Sequence, residues 1–139
     1  MTKEKKISKE VALEDLGTFI NKFVKKPVEH NELEETYPDI LEGIMDGLVN
    51  FNSDGVPVYT LKFPIKAETG EVIYSEINFR TRIKPTTLAD LAKGLHPQKE
   101  VFTLQLRMTS YIIDKPVFDL DKFERYDYDV INQIASVFS

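Results

Sequence analysis

The sequence predicts an α+β domain: an N-terminal helical arm, an antiparallel β-meander of two or three strands, and three C-terminal helices packed on the sheet. Two patterns predict it. Apolar and polar residues alternate from Val56 to Lys66 and again from Val72 to Ile83, and Glu68-Thr69-Gly70 between them is a turn, which is the signature of a hairpin. On either side, residues 9–26 and 98–138 carry apolar residues at three- and four-residue steps, the spacing of helices with one buried face. With 139 residues, 42% of them hydrophobic and 29% charged, the chain has the size and composition of one globular domain.

Each element has its own signal. The Lys/Glu mixture of residues 1–6 is expected to be disordered, because it cannot repay its ordering entropy. Ser8 can then cap a helix whose Ala12, Leu16, Phe19 and Phe23, with Leu13, Ile20 and Val24, form one stripe, and Pro27 stops it. Residues 28–35 are an acidic connector. Thr36 or Tyr37 precedes Pro38, a good first-turn residue, and Ile40, Leu41, Ile44, Met45 and Leu48 continue a short helix that Gly43 and Gly47 weaken. Leu48–Phe51 reads as a strand and residues 52–55 as a turn. In the next strand Tyr59, Leu61, Phe63 and Ile65 share a face, while Pro57 and Pro64 place that strand at an edge or on a bulge. The returning strand points Ile73, Ile77, Phe79 and Ile83 inward and Glu76, Asn78, Arg80 and Arg82 outward.

Thr86 or Thr87, supported by Asp90, is expected to cap a short helix with Leu88, Leu91 and Leu95 inward and Gly94 at its end. Residues 98–113 alternate like a strand yet also follow a helical path. A helix is favoured, since 16 residues without Gly or Pro are long for a strand. Residues 119–123 read as a single turn, and Asp127 as the cap of a last helix with Val130, Ile131, Ile134, Val137 and Phe138 on its stripe. The organisation is thus a helical, acidic N-terminal extension over residues 1–55 and a hairpin-plus-helices core over 56–139.

Chemistry is thinly represented. With no cysteine there is no disulfide, thiolate ligand or thiol nucleophile, which suits a reducing compartment. His30 and His96 have no second ligand at metal spacing, and Asp119, Asp121, Glu124, Asp127 and Asp129 fail the calcium-loop pattern because positions six and twelve hold Glu124 and Val130. Helix caps and solvated turns account for those carboxylates better. No phosphate-loop, dinucleotide, zinc-protease or serine-hydrolase motif occurs, so neither an enzyme nor a cofactor is expected. The charged start and the lack of any apolar run near about 18 residues predict no secretory signal and no membrane anchor.

Net charge is −5, and residues 1–55 hold all the excess, with 7 basic and 12 acidic groups against 11 of each in the rest. Between Val28 and Gly55 lie eight acids and no Lys or Arg, a stretch repelled by nucleic acid and anionic membranes and attracted to a basic surface. Arg80, Arg82 and Lys84 form a basic row without interleaved aromatics, which reads first as a solvated sheet face, next as a docking patch for an acidic partner, and only weakly as a nucleic-acid site.

The order of these patterns resembles the phage tail assembly chaperones of Mu-like and P2-like contractile-tailed phages. The hairpin LKFPIKAETGEVIYSEINFR leads to KPTTLADL, then to the LQLRMTSYII helix, the FDLDKF step and the final YDYDVINQIASVF helix, over about residues 58–138. The resemblance implies a non-enzymatic protein of the host bacterial cytoplasm that holds the tape measure protein soluble and helps recruit tail tube subunits. Residues 1–55 and the second Thr of KPTT depart from the family pattern. A structural tail or baseplate component and an acidic adaptor or inhibitor of a host protein are the other readings. The residues placed at partner contacts are Arg80 and Arg82 on the hairpin, Met108 and Tyr111 on the middle helix, and Ile134 and Phe138 on the last helix. A homo-oligomer is a further expectation, because the hairpin carries an edge strand, although Pro57 and Pro64 would blunt edge pairing.

Overall fold

The structure, a computed structural model, describes residues 6–26 and 28–139, so the expected disorder of the first five residues and the helix stop at Pro27 lie outside it. Helix α1 spans Lys9–Phe23, with the Ser8 hydroxyl accepting from the Val11 N–H at 3.3 Å as the cap expected of it. A 3-10 turn at His30–Glu32 and one turn of helix, α2 (Leu33–Thr36), lead to α3 (Pro38–Met45), which opens with Tyr37 before Pro38. Three antiparallel strands follow, β1 (Val49–Phe51), β2 (Pro57–Lys66) and β3 (Val72–Ile77), in the order β1-β2-β3. The β1–β2 turn closes on Asn52, whose side-chain oxygen accepts from the N–H groups of Asp54 and Val56 at 2.9 and 3.0 Å. The C-terminal part comprises α4 (Pro85–Ala92), α5 (Val101–Ile113), the single turn α6 (Val117–Leu120) and α7 (Arg125–Val137). The α+β class and the three-strand version of the meander are therefore the observed ones.

Helix α7 lies centrally. Its Val130, Ile131, Ile134 and Ala135 are buried where β2, α3 and α5 meet it, and one apolar cluster runs from Ala12 of α1 through Ile40 and Ile44 of α3, Tyr59 and Leu61 of β2 and Ile112 of α5 to Phe138. The stripes of α1 and α3 are thus walls of the same core as the hairpin and α7. Burial of each such Leu or Ile stabilises by about 1.5–3 kcal/mol.

Several expectations are corrected. The strand expected to run to Ile83 ends at Ile77; beyond it the chain leaves the sheet, and the Arg80 N–H donates to the Ile112 carbonyl at the end of α5 at 2.7 Å. Phe63 and Ile73, both read as inward, are each 47% exposed. The cause is a bulge: Thr60 pairs with Glu76 and Ile65 with Tyr74, so Leu61–Pro64 of β2 face only Ser75 of β3. Of the two settings that Pro57 and Pro64 allow, the bulge is the observed one, because β2 is central. Neither Thr86 nor Thr87 caps α4, which begins at Pro85 after an extended Lys84. Helix α5 starts at Val101 rather than Gln98, since the His96 ring nitrogen accepts from the N–H groups of Gln98 and Lys99 and holds them in a loop. Asp127 sits in the first turn of α7 but does not cap it, and Asp119 and Asp127 are buried rather than solvated.

Candidate functional site

Two buried carboxylates organise the surfaces around the hairpin. Asp127 is fully buried; one of its oxygens accepts from the Tyr59 hydroxyl at 2.5 Å and the Lys62 N–H at 2.9 Å, and the other from the Phe63 N–H at 3.0 Å. It sits in the first turn of α7, where the helix dipole favours an anion. The two adjacent amides it takes lie inside the bulged stretch of β2, so Asp127 supplies their acceptor where the ladder to β3 is interrupted and holds the bulge with Phe63 outside. Burial, then the bond to Asp127, pushes the Tyr59 hydroxyl far above its ordinary pKa and keeps it a donor. Burial and the bond to Asp46 do the same for Tyr126, tying α7 to the end of α3.

Asp119 of α6 accepts from the Tyr74 hydroxyl and pairs with Lys122 at 2.9 Å, and these two contacts, Tyr74 first, hold its carboxyl below the usual carboxylate range. A depressed carboxyl contributes stability that is present above its unfolded pKa, near 3.8, and is lost as the pH falls through the lower folded value. Tyr74→Phe should therefore cost about 1 kcal/mol at neutral pH. In urea titrations the gap from wild type should shrink as the pH drops below 3.8; a pH-independent gap would rule the linkage out.

A partly apolar concavity lies between α5 and α7. Val101, Leu104 and Met108 form its apolar wall, Asn132, Ser136 and Ser139 the polar one, and the Thr109 hydroxyl closes the floor by donating to the Asn132 side chain at 3.0 Å. It encloses about 310 Å³, and Phe102, 80% exposed, extends the apolar surface of α5 at the same end. An open groove with one apolar and one polar wall presents the two kinds of surface that an amphipathic helix carries.

Of the six residues placed at partner contacts, Met108 lines this groove. Arg80 and Tyr111 are brought together elsewhere: the guanidinium lies 4.7 Å from the centre of the Tyr111 ring, donates to the Tyr111 carbonyl and pairs with Asp114, both at 2.9 Å. Arg82 is exposed on the irregular segment after β3, not on a strand face. Ile134 is fully buried, and Phe138 packs edge-on against Phe19 and Phe23, so these two are core residues in this conformation. The α7 wall is made instead by Asn132 and Ser136, whose four-residue spacing on a polar stripe was their only signal. Among the described residues no group of three His, Asp or Glu is placed to hold a metal ion, and no helix is long and apolar enough to cross a membrane. Comparison of the chain with protein-family models, with characterised proteins and with solved structures finds no match.

Proposed function

We propose that this protein is a non-catalytic binding protein of phage tail assembly, a chaperone that holds an amphipathic helix of the tape measure protein in the α5–α7 groove until tube subunits enclose it. The observation that carries the reading is that groove, with its Val101, Leu104 and Met108 wall, on the segment that carries the family resemblance. A tape measure protein is expected to be a long helix whose apolar stripe aggregates in water, and the groove's apolar wall covers such a stripe. The work is done in the host cytoplasm, before the tail is complete.

Co-expression with the tape measure protein tests it. The wild-type chain should keep that protein soluble and co-purify with it. Met108→Asp, at a half-buried groove position, should weaken the complex about tenfold or more with little change in Tm, because the charge meets the partner's apolar stripe rather than the core. No effect of the wild-type chain on tape measure solubility sinks the reading. Stoichiometric presence in purified virions points instead to a structural tail component.

A further inference from the structure

The prolines that would blunt a sheet edge do not lie on one. Pro57 and Pro64 belong to β2, the central strand, and the open side of the sheet is β3. Natural edge strands are protected by Pro, by Lys, by bulging or by brevity. Strand β3, VIYSEI, has six residues with no Pro, Lys or Arg, and its first two, Val72 and Ile73, are 49% and 47% exposed beside Phe63. Among the described residues its backbone pairs only with β2, so about half of its N–H and C=O groups face away from the sheet. The opposite edge, β1, is three residues long.

Charge indicates what pairs there. Glu68 and Glu71 precede β3, while Arg80, Arg82 and Lys84 follow it; Lys66 is the one base near the acidic end and Glu76 the one acid near the basic end. A parallel neighbour would set like charges side by side. An antiparallel copy of the same strand, turned about an axis at Ser75, brings the acidic end of each strand (Glu68 and Glu71, before it) toward the basic end of the other (Arg80 and Arg82, after it), and symmetry makes each approach twice. Arg80 is already held by Asp114, which leaves exposed Arg82 as the principal answering cation. We propose that β3 pairs antiparallel with β3 of a second copy, joining two three-stranded sheets into one of six strands in a closed dimer. Val72 on one face of the sheet and Ile73 on the other then gain a neighbouring strand along the seam.

The chain has no cysteine, which makes the test clean. Sedimentation from about 1 to about 100 micromolar should show a species of twice the 16.0 kDa chain mass. Ile73→Lys, at an exposed position, should weaken self-association about tenfold or more with unchanged circular dichroism and Tm, since the two-fold counts each charge twice. Ser75→Cys should cross-link its own dimer on mild oxidation, because residues facing each other across an antiparallel pair meet within disulfide reach, about 4.5–5.5 Å between Cα atoms. A wild-type monomer across this range overturns the proposal. So does a dimer that is indifferent to Ile73→Lys and that the Ser75→Cys substitution fails to cross-link.

Discussion

Asp127→Ala is expected to cost about 3–5 kcal/mol, one of the largest losses any single polar substitution in this chain can produce. Removing the carboxylate leaves the Tyr59 hydroxyl and the N–H groups of Lys62 and Phe63 without their acceptor, and the hydroxyl is inside the core. Asp127→Asn should cost less, about 2 kcal/mol, because the amide oxygen can still accept from two donors while its NH2 faces a third. Urea midpoints order the three proteins, and hydrogen exchange locates the effect: in the Asn variant the amides of Lys62 and Phe63 should exchange faster than those of β1. If Ala and Asn cost the same as an ordinary surface change, below about 0.5 kcal/mol, Asp127 does not hold the bulge.

That carboxylate also marks where sequence reading stopped. Helix spacing identified α1, α3, α5 and α7 because a period of 3–4 residues is a local property, and the Ser8 cap and the Asn52 turn are local as well. The faces of the hairpin are not local. Alternation put Phe63 with Tyr59 and Ile65, and this would hold in an unbroken ladder. The break is made by Asp127, 65 residues beyond Lys62, which binds two amides that no side-chain pattern represents. Pro64 was the one visible hint, and it allowed an edge as readily as a bulge. For the site, an apolar stripe tells which face of a helix avoids water but not what covers it. Met108 remained at a surface groove, whereas Ile134 and Phe138, on an equally good stripe, were taken into the core by α1 and α3. The acidic character of residues 28–55 was legible, but that the stripes of α1 and α3 pack beside the hairpin was not.

Phe19→Ala should destabilise the whole protein by about 3–5 kcal/mol and do so in a single transition. The Phe19 ring lies 5.5 Å from Phe23 of its own helix, 5.5 Å from Phe51 of β1 and 5.8 Å from Phe138 after α7, centre to centre, so one side chain of α1 touches both the sheet and the C-terminal end of the chain. Far-UV circular dichroism follows all the helices, and tyrosine emission, in a chain without Trp, follows six Tyr residues, five of which (Tyr59, Tyr74, Tyr111, Tyr126 and Tyr128) lie in the hairpin and the C-terminal helices. If α1 is a wall of the core, both probes shift together to a lower urea midpoint with the slope unchanged. If α1 is a detachable arm, the tyrosine signal keeps its wild-type midpoint while only part of the helical signal moves. The distinction decides how partner binding is to be mapped. A chain truncated to the segment that resembles the tail chaperones would lose Phe19, Leu16 and Ile20 from its core and β1 from its sheet, so failure of that fragment to bind would report unfolding. Substitutions on the half-exposed wall of the α5–α7 groove, made in the full chain, leave those contacts in place and report on the partner alone.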